Sequence, residues 1–557
     1  MFHRLSALVF LTCLGCDDDG EKSSGSRGSS ADETTTAPID DTDATTGLGD
    51  PDDTDDTDDT DDTANPDTSD ADGDGYPASE DCDDDNPDVN PGATEIPGDG
   101  IDNDCDPSTC AGTGYSGAVT ELTLPEGYGV RTFAAAGNAG DCDGDRPRWT
   151  FADITGDGRS DIVVVRSPCG DVDPGLTTWT VHEASDTGFG DGIEWTLPTE
   201  IPAGLLQRPG NLPGCTGNNQ PRWALRDITG DARPDIVFTQ SCEDASVIGT
   251  TQWRVFANTG TGFADESALS LPSGYPEGTL DAFDSQPDCA TGRPGYSLLD
   301  LDNDGEFDLV ITATPCEDDD PGITHWSVHE NTGTGFSNIP TSFTLPGSYA
   351  TGTFSAPGHG GSCSDGIPRW SAVDLDGDTF LDAVVTWRDC DETVVGTTEW
   401  RVHAGSATGF ASAPTTWTLP TGYGLNAFSA VAGDLSCPDA RPRYQLLDME
   451  ADGRLELVVL RSPCEDDDVG TARWLVHRSA DTMFSSMPDD WLLPEAYGDG
   501  TFHRVGAERQ CAPEIPGWLP ADPNQDGLQD ILVNSSACLD NAIGDTVWGV
   551  HEGGCAL

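Results

Sequence analysis

At 557 residues the chain has room for several domains, and its 101 Asp and Glu against 25 Lys and Arg give a formal net charge of -76 at pH 7. Such a surplus repels nucleic acid and anionic head groups and draws divalent cations, so nucleic acid is excluded as a partner. Lys22 is the only lysine, which leaves no candidate for a Schiff base or a P-loop, while 66 Gly and 39 Pro among short Val-, Thr-, Trp- and Phe-rich runs point to an all-β chain with many turns.

The first residues, Met1 to Arg4, are basic, and the apolar run from Leu5 to Gly15 is too short to span a bilayer as a mature helix. Residues 1–15 therefore read as a signal peptide. The end of that run, Cys13-Leu-Gly-Cys16, resembles the bacterial lipobox. The resemblance implies lipidation at Cys16, attachment to a membrane through that N-terminal lipid alone, and a place in the bacterial cell envelope, on the outer membrane or cell surface. Cys13 is atypical for the first box position and keeps plain secretion as the alternative. Residues 16–69, dominated by Asp, Thr, Ser and Gly, have almost nothing to bury and are expected to form a disordered acidic linker.

Residues 70–109 place carboxylates at Asp70, Asp72, Asp74, Asp81, Asp102 and Asp104 within the segments Asp70 to Tyr76, Glu80 to Pro87 and Gly100 to Asp106. The stretch resembles the MopE-type metal-binding motif of bacterial surface proteins. That family carries copper in its name, but these hard oxygens suit Ca²⁺ better than a soft or imidazole-loving metal, so calcium is the expected cofactor and copper the lesser alternative. A disulfide between Cys82 and Cys105 would staple a module too small to hold together by a core.

Beyond residue 110 one nonapeptide recurs six times, beginning at Asp153, Asp227, Asp300, Asp374, Asp448 and Asp522, at intervals of 74, 73, 74, 74 and 74 residues. A period this steady marks one structural unit repeated in tandem. Acids at positions 1, 3, 5 and 9, with a small residue usually at 6, set several oxygens around one point while the chain turns, as a site for Ca²⁺ requires. The candidate ligands are Asp153, Asp157 and Asp161 in the first loop, Asp227, Asp231 and Asp235 in the second, and Asp300, Asp302, Asp304 and Asp308 in the complete third. They continue with Asp374, Asp376, Asp378 and Asp382 in the fourth, Asp448 and Asp452 in the fifth, and Asp522, Asp526 and Asp530 in the sixth. Departures are Thr155, Thr229 and Asn524 at position 3, Ala232 and Thr379 at position 6, and the longer Glu450 and Glu456. The bland alternative is a solvated hairpin turn stabilised by Asp and Gly.

Around the third loop the sequence predicts strands at Tyr296 to Leu301, Phe307 to Thr312, Thr324 to Glu330 and Thr341 to Pro346, and four strands make a propeller blade. The pattern resembles the FG-GAP/VCBS repeats of integrin-like propellers, whose calcium loop joins the first two strands of a blade, and covers residues 110–557. The chain stops after a third strand, at Trp548 to Cys555, and Cys110 to Pro125 aligns with the missing Gly-rich turn and fourth strand. The expected fold is thus a six-bladed β-propeller of four-stranded blades closed by an N-terminal strand, which removes two exposed edges and brings Cys110 to Cys555.

One cysteine pair per repeat is spaced by 27 residues: Cys142/Cys169, Cys215/Cys242, Cys289/Cys316, Cys363/Cys390, Cys437/Cys464 and Cys511/Cys538. Such parity in a chain with an export signal reads as disulfides, and topology favours pairing within each repeat while leaving pairing with a neighbour open. His182, His329, His403, His477 and His551 recur after a tryptophan in strand three, but Phe256 takes that place in the second repeat, so the position reads as packing between blades. No H-E-x-x-H, G-x-S-x-G or P-loop occurs. The expectation is a calcium-binding surface protein for adhesion or recognition, with an extracellular glycan or protein as partner. A propeller enzyme acting on glycans and a metal-sequestering surface component are the alternatives.

Overall fold

The computed structural model describes residues 114–554 apart from short loop stretches, of which 209–220 around Cys215 is the longest, together with 72–77, 81, 86, 87, 89–93 and 105. The signal peptide, Cys16, the linker, Asp70, Asp102, Asp104 and the bonds Cys82–Cys105 and Cys110–Cys555 fall, in whole or in part, outside the described residues. Among the described residues there is no helix, and the strands form six sheets in a propeller-like arrangement.

Five of the six sheets are built on four antiparallel strands in chain order. In the third unit they are Gly295–Leu299, Asp308–Ala313, His325–His329 and Thr341–Thr344. The second strands are near-continuous apolar runs, such as Asp308–Ala313 and Asp382–Trp387, because both faces of that strand meet a neighbouring sheet. The fourth strands bury one residue in four, Phe343 in the third unit, as expected of an outer strand with one wet face.

The sixth sheet takes its fourth strand from the start of the described chain. Thr120–Thr123 pairs antiparallel with Val547–His551, Leu122 opposite Trp548. Gly114–Tyr115 pairs with Gly553–Gly554 at the chain's other end and touches the fourth strand of the fifth unit at Leu492. Apolar packing follows the same cycle. One cluster joins units one and two through Trp179, Trp195 and Trp223, and four more join each later pair of consecutive units. Another joins the sixth unit to the first through Trp548, Val550, Trp149 and Ile162.

Hydrogen bonds between units repeat with the period. The strand-three tryptophan indoles donate to a carbonyl of the connection into the next unit: Trp253 to Leu280 at 2.7 Å, Trp326 to Phe354 at 2.7 Å and Trp548 to Phe133 at 2.8 Å. A buried indole N–H usually finds such an acceptor, although those of Trp223, Trp417 and Trp491 are buried without one. The strand-three histidines are buried as the sequence indicated, but their contacts are polar. His329 Nδ1 lies 2.6 Å from the Ser337 carbonyl, which can only accept, so Nδ1 carries the proton and Nε2 accepts from Tyr275 at 2.8 Å. Tyr128, Tyr349, Tyr423 and Tyr497 meet His182, His403, His477 and His551 in the same way. In the second unit Phe256 replaces the histidine and Ile201 stands where the tyrosine would be, both in one apolar cluster.

The connections between units hold strands beyond the four expected of each repeat. Asn138–Asp141, Asp284–Ser285 and Gly358–Ser362 add a further short strand against strand one in units one, three and four. Their composition, Gly-His-Gly-Gly-Ser in the fourth unit, hides them, because glycine carries no strand preference. The disulfides Cys142–Cys169, Cys215–Cys242, Cys289–Cys316 and Cys511–Cys538 are formed within units, and Cys437 and Cys105 are also bonded. Cys363, Cys390 and Cys464 lie outside the described residues. Pairing within a unit is therefore described for four of the six repeats, and the expected bonds Cys363–Cys390 and Cys437–Cys464 are not among those four.

Candidate metal centres

Each acidic loop joins strands one and two, and its aspartates shape it before any ion is considered. Position 1 accepts from amides further along the loop: Gly156 N and Gly158 N bond Asp153 at 2.7 and 2.9 Å, and Asn303 N and Gly305 N bond Asp300 at 2.7 and 3.1 Å. Position 5 accepts from the amide of position 7, as from Glu306 to Asp304 at 2.8 Å. Position 9 opens strand two and is buried. Asp161 accepts from Ile154 N and Thr155 N on one oxygen and from Ala184 N, in the turn after strand three, on the other. Asp235, Asp308, Asp382 and Asp530 make the same long-range bond to Asn258, Asn331, Gly405 and Gly553 at 2.7 to 2.8 Å. The sequence pointed to these residues as ligands, and the structure adds that they tie the loop to the far turn.

The turn needs two left-handed residues. Position 6 is the one the sequence indicated, with φ 88° at Gly305, 66° at Ala232 and 78° at Thr379. Position 4 is the other, with φ 76° at Gly156, 61° at Asn303 and 55° at Ala451. The recurrence of Gly and Asn at position 4 was the available signal.

Metal-ligating oxygens converge at three places among the described residues. Asp300, Asp302 and Asp304 in the third loop, Asp374, Asp376 and Asp382 in the fourth, and Asp72, Asp74 and Asp81 before the sheets each offer oxygens within 4.8 Å of one another. The remaining loops do not gather three such atoms. In the first, Thr155 donates its hydroxyl to Asp161. In the second, Arg233 Nη2 bonds Asp231 at 2.6 Å, and in the fifth, Arg478 pairs with Glu450, so a guanidinium already lies against an acid. In the segment from Asp72 to Tyr76, Gly73 and Gly75 at φ 84° and 106° reverse the chain between acids, and Tyr76 N bonds Asp74 at 2.9 Å.

Crowding of carboxylates in low dielectric disfavours the charged form. Burial first, and the charges of Asp302, Asp304 and Asp300 next, push Asp308 up to about 7. Burial and Asp376 and Asp378 push Asp382 up to about 7, and burial with Asp526 and Asp522 pushes Asp530 up to about 8. Several oxygens are buried without accepting a hydrogen bond: Asp74 Oδ2, Asp448 Oδ1, Asp522 Oδ1 and Asp530 Oδ2. Unsatisfied buried carboxylate oxygens beside like charges fit a bound cation.

Repeated, propeller-like sheets with carboxylate clusters at the strand one to two turns define a class of all-β metal-binding repeat proteins. Within the chain, the family model of the MopE-type (Cu-binding) metal-binding motif matches residues 81–109. The match includes Asp81 and begins after Asp72 and Asp74, which the fold sets beside it. No curated protein matches the chain. Among solved structures, the Tc holotoxin pore of Photorhabdus luminescens is similar over 79% of this chain, which spans 15% of the toxin chain, at 15% identity and a TM-score of 0.42. A lectin of Agrocybe aegerita that recognises non-reducing terminal N-acetylglucosamine covers 69% of this chain and 74% of its own, at 15% identity and a TM-score of 0.33. A DUF4221 member from Bacteroides vulgatus covers 78% and 96%, at 8% identity and a TM-score of 0.29. At such TM-scores these likenesses carry no functional argument.

Proposed function

We propose that the chain is a calcium-binding bacterial surface protein, lipid-anchored at Cys16, in which a six-bladed propeller of FG-GAP/VCBS type presents a face for adhesion to a glycan or protein. The observation that carries the reading is the convergence of Asp300, Asp302 and Asp304, of Asp374, Asp376 and Asp382, and of Asp72, Asp74 and Asp81, three donor sets made of hard oxygens alone. Such sets select Ca²⁺ over copper, which prefers imidazole and sulfur. The cation would neutralise carboxylates that otherwise hold protons near neutral pH and would fix each turn. Six blades are supported by the cycle of apolar clusters that returns from the sixth sheet to the first, and closure by the pairing of Thr120–Thr123 with Val547–His551. A Cys110–Cys555 bond would lock that seam. The long connections at the opposite ends of strands one and two, held by the disulfides, are the recognition surface, because loops on a rigid scaffold carry binding.

The test is metal analysis after dialysis against equal calcium and copper. Retention of calcium, with loss of part of it in Asp304→Ala and in Asp376→Ala, is expected. Copper retained at all sites, or no metal retained, overturns the reading.

A further inference from the structure

In this acidic chain two places gather arginines instead. At the ends of strands one and two remote from the acidic loops, Arg148 stands opposite Arg166 in the first unit and Arg443 opposite Arg461 in the fifth. A third arginine joins each pair from the connection to the next unit. Arg148 Nη1 donates to the Gln207 carbonyl at 3.2 Å, next to Arg208, and Arg443 Nη1 to the His503 carbonyl at 3.1 Å, next to Arg504.

Like charges directly opposite one another destabilise a sheet. Burial, and the neighbouring arginines, lower the proton affinity of Arg148 and Arg443. The fold does not require the trio. The same three places hold Arg222, Gln240 and Ala282 in the second unit, Gly295, Ala313 and Ala356 in the third, and Arg369, Trp387 and Ala430 in the fourth. In both trios two members are half-buried and the third is exposed. The carboxylate placed against Arg443, at 3.5 Å, belongs to Asp434, whose side chain is 93% exposed and costs little to displace.

Trp387 adds an independent observation. Thirteen of the fourteen tryptophans are at most 3% exposed, whereas Trp387 is only half-buried. It occupies the strand-two place of Arg166 and Arg461, in the unit that shares an apolar cluster with the fifth.

We propose that this face binds a saccharide bearing carboxylate or sulfate groups, with Arg443, Arg461 and Arg504 clamping one oxyanion, Trp387 stacking on a sugar ring, and Arg148, Arg166 and Arg208 holding a second oxyanion. Guanidinium forks match both anions in two-bond geometry. This deepens the recognition role above and rests on it, but not on the identity of the cation.

The test is titration calorimetry of the full chain with an oligogalacturonate, a chondroitin sulfate oligosaccharide and a neutral cello-oligosaccharide. One anionic oligosaccharide binds, more weakly as salt rises, and the neutral one does not. Arg461→Gln and Trp387→Ala each weaken binding at least tenfold, while Arg254→Gln, on strand three of the second unit, leaves it unchanged. Should the half-buried variants unfold, Arg504→Gln and Arg208→Gln, both in exposed connections, take their place. No anionic oligosaccharide bound, or binding indifferent to the arginine variants, overturns the inference. Neutral oligosaccharide binding that survives those variants overturns it while leaving glycan recognition standing.

Discussion

The buried Tyr–His pairs show how a single position reports on the interface between units. His329 is held neutral by burial, with its proton on Nδ1, and burial raises the Tyr275 phenol up to about 12. Because the folded-state affinity of His329 for a proton is lowered, the unfolded chain binds the extra proton first, so this group takes stability away as pH drops below about 6.5. The second unit supplies its own control, Ile201 with Phe256. Tyr275→Ile/His329→Phe is therefore expected to raise the melting temperature at pH 5.5, relative to that at pH 7.5, above the same comparison in the parent chain, and an identical difference in the two would refute the assignment. That histidine was legible as a packing residue, since Phe256 substitutes for it; its tyrosine partner was not, because it lies 54 residues away in the preceding connection. At the loops, Thr379 is a β-branched residue at φ 78°. Thr379→Gly should raise stability by about 1 kcal/mol, read from the denaturation midpoint, since the left-handed conformation costs an L-residue about that much.

Strands and disulfides were the most legible elements. The third repeat's four strands fall within a residue or two of the expected bounds, because alternation and Gly-rich turns mark them directly. What composition could not reveal were the glycine-rich strands beside strand one and the bonds by which each position 9 carboxylate ties its loop to the turn 23 residues on. Cys289 and Cys316, 27 residues apart in sequence, close a loop, and removing their bond should cost up to about 3.5 kcal/mol by chain entropy. Cys289→Ala/Cys316→Ala should lower the denaturation midpoint without moving the other units' bonds, as peptide mapping would show. An unchanged midpoint would mean that the connection is held by its own packing.

On the scale of the whole molecule, the chain carries 101 acids, and the loops concentrate their repulsion at the turns between strands one and two. Folded-state affinities for protons are raised at Asp308, Asp382 and Asp530, so the metal-free chain gives up stability as pH climbs from the ordinary carboxylate range through about 7 to 8, where on the proposed reading a cation would replace the proton. The period of 74 residues made the repeat legible from sequence alone, and the two loops that converge are the two with Asp at positions 1, 3, 5 and 9; what the spacing did not reveal are Arg233 and Arg478, which reach acids of the second and fifth loops.

The central claim is that divalent cations in these loops hold the turns, and thermal unfolding at pH 7.5 in chelator and in millimolar calcium tests it most directly. A site at about 100 times its dissociation constant should add roughly 2.7 kcal/mol, so calcium raises the melting temperature, less at pH 5.5 than at 7.5, and Asp304→Ala removes more of the rise than Asp452→Ala. The same melting temperature in chelator and in calcium at pH 7.5 would contradict the account.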